Sequence, residues 1–169
     1  MRSKIIFLFV IISFSGCKSQ KKNSNDLNKV NFKYSRLYYK DSTIVESDIY
    51  DSYTGLYESK EYNFGFGNDK NISTTIKFSE KELKNIYALY LSLNPKHLCE
   101  CTYIDGKLLY KSSITFKANT IKNDMSKYHD CPTNEKDHVK YSKIEKLVYD
   151  LITNSQAYRR TFYWEFIKK

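Results

Sequence analysis

From Val30 onward, apolar and polar side chains alternate, with Val30, Phe32 and Tyr34 set against Asn31, Lys33 and Ser35. A period of two gives a strand one dry and one wet face, so the body of the chain opens on a strand. Further β-type runs follow at 43–50 and 54–58. Tyr62, Phe64 and Phe66 then alternate up to the turn-forming run Gly67-Asn68-Asp69-Lys70, after which Ile72, Thr74, Ile76 and Phe78 share a face. That pattern predicts a hairpin.

At Ser79 the period changes from two to three-four. Ser79 and Glu82 have the S-x-x-E spacing of a capping box, and Phe78 and Leu83 flank it as a hydrophobic staple. Leu83, Ile86, Tyr87, Tyr90 and Leu91 then mark one buried face, which Asn94-Pro95 ends. Ser142 and Glu145 repeat the box, and Ile144, Leu147, Val148, Leu151 and Ile152 repeat the stripe up to Asn154-Ser155. Both stripes are expected to pack on a sheet, each having a polar face opposite.

Between the helices, segments 98–104 and 107–117 flank Asp105-Gly106, a two-residue turn whose members tolerate positive φ. A regular register from that turn sets Tyr103 opposite Leu108 and Glu100 opposite Lys111. A weaker strand is predicted at about 121–129, and the closing run Thr161–Ile167 alternates Phe162, Trp164 and Phe166 with Tyr163, Glu165 and Ile167. Strands, helix, strands, helix, strand is the order of an α+β domain, an antiparallel sheet carrying two amphipathic helices.

Ahead of this body stands a segment of another kind. Arg2 and Lys4 precede the apolar run Ile5–Phe14, then Ser15, Gly16 and Cys17. A charged start, a short apolar core and small residues are the parts of a secretory signal, and the core falls short of the ~20 residues of a membrane span. Phe14-Ser15-Gly16-Cys17 resembles the lipobox of bacterial lipoproteins, although Phe14 stands where that motif usually has Leu. The resemblance implies cleavage before Cys17, diacylglycerol on its thiol and an acyl chain on the freed amine. It also implies an extracytoplasmic, membrane-anchored location. Lys18-Ser19 lacks the Asp of inner-membrane retention, so the outer membrane is preferred where the cell has one. Three acyl chains bury enough methylenes, at ~0.8 kcal/mol each, for durable anchoring. The expected organisation is a signal peptide at 1–16, a lipidated Cys17 and polar tether over 17–29, and one α+β domain over 30–169.

Removing the leader changes two counts. The chain has 28 lysines and arginines against 19 carboxylates; Arg2 and Lys4 depart with the leader, and the mature part stays basic. Its arginines are only Arg36, Arg159 and Arg160, and Arg is the residue suited to bidentate phosphate contacts, so the composition argues against nucleic acid. With Cys17 lipidated, Cys99, Cys101 and Cys131 remain, an odd number for an oxidising compartment. One disulfide from Cys131 to Cys101 or Cys99 is expected, with Cys101 preferred. A competing arrangement would gather His97, Cys99, Cys101, His129 and Cys131 around Zn²⁺ or Cu⁺, but C-x-C is not the C-x₂-C turn of structural zinc sites.

The sequence has no nucleophile elbow, phosphate loop, dinucleotide fingerprint or zinc-protease motif, and nothing in it calls for a cofactor. His138 falls in a polar run, read as solvated. Glu58, Glu61 and Asp105 would become an acid/base pair only through tertiary proximity. The 16 tyrosines suit strands and core before any sugar-stacking role. The expected function is that of a lipid-anchored cell-envelope protein acting as a binding or interaction module, with no catalytic residues. Its partners would be the membrane, through the anchor, and another envelope protein or an anionic or glycan polymer. The alternatives are an envelope enzyme whose site assembles only in the fold, or a neutralising partner for a toxin or lytic enzyme.

Overall fold

The computed structural model describes residues 30–63, 67–117, 131 and 135–167, with side chains as far as Tyr163. The leader, Cys17, the tether, Phe64, Phe66, the 121–129 strand and His129 lie outside the described residues. Six strands, β1 (Asn31–Lys40), β2 (Thr43–Asp51), β3 (Leu56–Glu61), β4 (Lys70–Thr75), β5 (Cys99–Ile104) and β6 (Lys107–Lys117), form one sheet ordered β4-β3-β2-β1-β6-β5. Every neighbouring pair is antiparallel. With α1 (Glu80–Leu93), α2 (Glu135–Asn154) and α3 (Gln156–Ile167), the chain is an α+β fold. Among the described residues no helix is long and apolar enough to cross a membrane.

The registers line up side chains in rows across one face. Phe116 and Phe32 lead; Ile114, Tyr34, Tyr50, Tyr57 and Thr74 come next. Ser112, Arg36, Asp48, Ser59 and Ile72 follow, and the last row is Tyr110, Tyr38, Glu46, Glu61 and Lys70. Along the strands this face therefore grades from apolar to charged. Its apolar rows, with Ile86 of α1 and Tyr141, Ile144, Val148 and Ile152 of α2, make the core. Tyr158 and Phe162 of α3 close it by edge contacts on Tyr57, with ring centroids at 5.4 and 5.5 Å. Phe32, Tyr34, Tyr50 and Tyr57 are nearly inaccessible, a large apolar payload for a small sheet.

Helix α1 starts as its sequence predicts. The Ser79 hydroxyl accepts from the Glu82 N–H at 3.3 Å, and the Glu82 carboxylate accepts from the Ser79 N–H at 2.6 Å. Asn94 ends the helix in the left-handed region, at φ 44°. The inward stripe differs in one member. Leu91 is exposed, whereas Leu89 and Leu93 pack on the core, because at 100° per residue Leu91 sits far round the helix from Ile86.

Helix α2 begins at Glu135, and Ser142 and Glu145 form no capping box in it. The Ser142 hydroxyl donates to the Val139 carbonyl within the helix at 3.1 Å, and Glu145 is buried against the sheet. An S-x-x-E spacing is also an i, i+3 neighbour pair inside a helix, and here the interior role holds. The closing run is helical too. Tyr158 and Phe162, four apart, stack at 4.6 Å, and the Ser155 hydroxyl accepts from the Tyr158 N–H at 3.1 Å as its cap. Aromatic residues in that run fit both periods, and packing on Tyr57 selects the helical one.

Two strand expectations shift. The run at 54–58 gives way to a strand, Leu56–Glu61, pairing with β4, and Tyr62 lies beyond its end, while Phe64 and Phe66 of the expected run fall outside the described residues. Gly55 sets that start: its φ is +74°, and a Cβ there would stand 2.8 Å from the Ile76 carbonyl oxygen. In the β5–β6 hairpin, Asp105 and Gly106 have the expected positive φ and Tyr103 faces Leu108. A bulge at Leu109 then moves the register, so Glu100 faces Ser112 and Cys101 faces Lys111.

Candidate functional site

The charged end of the helix-covered face gathers the strongest chemistry in the described fold. Tyr141, Glu145 and Tyr149 fall at i, i+4 and i+8 on α2, which aims all three at the sheet. Glu145 Oε1 accepts from the hydroxyls of Tyr34 at 3.0 Å and Tyr110 at 2.9 Å, and from Arg36 Nε and Nη2 at 3.2 and 3.1 Å. The Arg36 guanidinium lies 3.7 Å from the Tyr149 ring centroid, a cation–π contact that covers its outer face. Tyr141 donates to the Ser112 hydroxyl at 3.0 Å. The Arg36 and Glu145 side chains are 17% and 9% exposed, so the pair is sheltered from screening.

Electrostatics follows the row order. Burial pushes the Tyr34 hydroxyl far above the ordinary tyrosine range, helped by the neighbouring Glu145 charge. Burial likewise raises Tyr110 and Tyr57. Asp48, opposite Arg36 in the register, is raised by burial, against hydrogen bonds from Ser59 and Tyr57 and the Arg36 charge. Glu46 is raised by burial and by the like charges of Asp48 and Glu61. Tyr38 and Tyr110 meet above this rim with ring centroids 5.2 Å apart. Chemically the cluster is a clamp: Arg36 and Glu145 hold each other, and no buried side-chain nitrogen or oxygen among the described residues lacks a partner.

The residues singled out from sequence are distributed elsewhere. The Sγ atoms of Cys101 and Cys131 lie 2.03 Å apart, at disulfide distance, and Cys99 is free and half-buried. Burial pushes the Cys99 thiol up, with Lys111 opposing and Asp137 adding to the rise. His97 Nδ1 lies 3.0 Å from Asp137 Oδ2, and that carboxylate also accepts from the backbone N–H groups of Lys96 at 2.7 Å and His97 at 2.8 Å. Burial works against the Asp137 charge, but these hydrogen bonds outweigh it and hold its carboxyl below the usual range. His138, read as solvated, is 46% exposed yet stands 2.9 Å from Glu100.

His129 lies outside the described residues, and neither proposed constellation assembles among those described. Among the described residues no three His, Cys, Asp or Glu side chains are grouped to hold a metal ion. Glu58 and Glu61 point to opposite faces of β3, three residues apart in a strand, and Asp105 sits in the β5–β6 turn. Sequence reasoning passed over Arg36, Asp48, Tyr110 and Glu145. A signal was present: Arg36 falls on the inward phase of Phe32 and Tyr34, and Glu145 on that of Ile144 and Val148, two opposite charges both directed at the core.

On the other side of the sheet the rows run Cys99, Ser113, Ser35, Ile49, Glu58, Ser73 and Cys101, Lys111, Leu37, Ser47, Lys60, Asn71. The core contacts of the helices all belong to the first face, so no described helix packs on this one, where Ser47 is buried, Leu37 and Ile49 are half-buried and Ser35 and Ser113 are hydrogen-bonded at 2.8 Å. Comparison of the chain with models of protein families, with curated proteins and with solved structures returned no match.

Proposed function

We propose that this chain is a lipid-anchored protein of the bacterial cell envelope, anchored through Cys17, with a domain that binds another envelope component rather than catalysing a reaction. The observation that carries the binding reading is the sheet face on which no described helix packs. Its half-buried Leu37 and Ile49, ringed by hydroxyls and by Lys111, Lys60 and Glu58, suit a partner surface better than a small-molecule cleft. The clamp supports the same reading, because the charges a hydrolase would keep free, Glu145 and Arg36, are engaged with each other and with two tyrosines. The partner class is an envelope protein, or an anionic or glycan polymer near the membrane.

Two experiments test this. Alkyne fatty-acid labelling of the full chain should mark the wild type and not Cys17→Ser; equal labelling removes the anchor. Crosslinking in cells followed by capture should recover one reproducible partner, lost on Ile49→Glu in the sheet face. Recovery unaffected by that change sinks the assignment of the face.

A further inference from the structure

Helix α2 carries four lysines, Lys136, Lys140, Lys143 and Lys146, and four carboxylates, Glu135, Asp137, Glu145 and Asp150, yet it is not electrically even. Asp137 and Glu145 are 5% and 7% exposed, turned inward to His97 and Arg36. Their charges are spent inside the fold. Lys136, Lys143 and Lys146 are exposed, Lys140 is half-exposed on the shoulder, and Val139 stands among them at 46% exposure. Asp150 answers Lys146 alone, while Lys140 and Lys143 have no carboxylate partner among the described residues. Lysines at i, i+3 and i, i+4 repel one another on a helix, so this stripe opposes the stability of α2 unless an anionic surface meets it.

The tether adds charge of the same sign beside the lipidation residue, at Lys18, Lys21 and Lys22. Basic residues next to an anchor are drawn to anionic headgroups. Residues 18–28 can extend to at most ~35–40 Å, which bounds how far the domain stands from the surface that holds it. We infer that the outward face of α2 lies against anionic lipid headgroups, with the helix layer toward the membrane and the sheet face on which no described helix packs turned away from it. This rests on the anchored reading, since an anchor is what keeps the domain within reach of the headgroups. It gives that reading an orientation: the surface offered to a partner is the one farthest from the lipid.

The test uses the chain from Lys18 onward, which keeps every residue of the described core, sedimented with vesicles of phosphatidylcholine alone or mixed with phosphatidylglycerol. A lysine near an anionic membrane is worth about fivefold in partition, so Lys140→Gln with Lys143→Gln should lower binding to the mixed vesicles about thirtyfold at low ionic strength. Lys33→Gln with Lys60→Gln removes equal charge from the opposite sheet face and should change binding only a few-fold. Lys140→Arg with Lys143→Arg should restore it, which separates charge from damage to the helix. Equal losses from the two glutamine pairs, or wild-type binding indifferent to phosphatidylglycerol, overturn the inference. Fatty-acid labelling reports on the anchor separately, so orientation and anchor can fail independently.

Discussion

Consider the removal of one partner from the Arg36–Glu145 pair. Glu145→Gln keeps the side-chain shape and its hydrogen-bonding oxygen but leaves the guanidinium, 17% exposed, without its hydrogen-bonded counter-charge. Breaking a buried pair costs ~3–5 kcal/mol, and the residual exposure of Arg36 trims this to roughly 2–4 kcal/mol. Arg36→Met strands the Glu145 anion with only two tyrosine hydroxyls and should cost a similar amount. The double replacement Arg36→Met with Glu145→Gln leaves neither charge unpaired, so its cost should fall below the sum of the singles by ~1–3 kcal/mol. Urea unfolding of the chain from Lys18 onward, followed by circular dichroism, measures all three against a total of roughly 5–15 kcal/mol. The competing role has its own signature. A glutamate serving only as a capping-box residue would cost ~0.5–2 kcal/mol and show no coupling to Arg36. Additive single changes, or a Glu145→Gln loss below about 1 kcal/mol, would refute the clamp.

Other outcomes follow from the same geometry. Ser79→Ala should cost ~1 kcal/mol by loss of the α1 cap, and Ser142→Ala should stay within about 0.5 kcal/mol, because its hydroxyl only returns to its own helix; paired urea midpoints decide. Burial raises the Asp48 carboxyl above its ordinary value, so its charge opposes folding above the folded value, and the opposition fades as pH falls to the unfolded value near ~3.9. Asp48→Asn should therefore raise the urea midpoint at neutral pH and gain nothing near pH ~3; a neutral-pH loss would contradict the assignment. Asp137 has the opposite sign: its lowered carboxyl contributes above the unfolded value and is lost as pH falls through the folded one. Asp137→Asn should thus weaken folding at neutral pH and converge with the wild type in acid. Cys131→Ser opens a loop of sequence separation 30 and should cost roughly 3–4 kcal/mol, with a rise from one titratable thiol to two.

Element type was readable wherever local chemistry and periodicity agreed. The Ser79 cap, the Asn94 stop, the Asp105-Gly106 turn and the β1 alternation each rest on residues within one turn or one strand. Misreadings arose where a local signal had a tertiary rival. Ser142 and Glu145 have the spacing of a cap, and only the presence of Arg36, Tyr34 and Tyr110 across the sheet makes Glu145 an interior residue. Phe162 belongs to an alternating run and to an i, i+4 pair with Tyr158, and Tyr57 decides between them. Leu109 slips the hairpin register by a bulge that no turn rule specifies. The clamp was hidden for the same reason: its members come from β1, β6 and α2, and only the sheet order brings them together.

That sheet order also sets a timetable. β1 is a central strand, yet its partner β6 is encoded far downstream, with Ser35 and Ser113 separated by 78 residues. A chain made at about 5–20 residues per second exposes one whole edge of β1 for several seconds before β6 exists to cover it. During that interval the β1–β2–β3–β4 meander presents the row of Phe32 and Tyr34 and an unpaired strand edge, the combination that seeds aggregation. Synthesis of this protein therefore calls for a holding chaperone, because the fold cannot close until its sixth strand arrives.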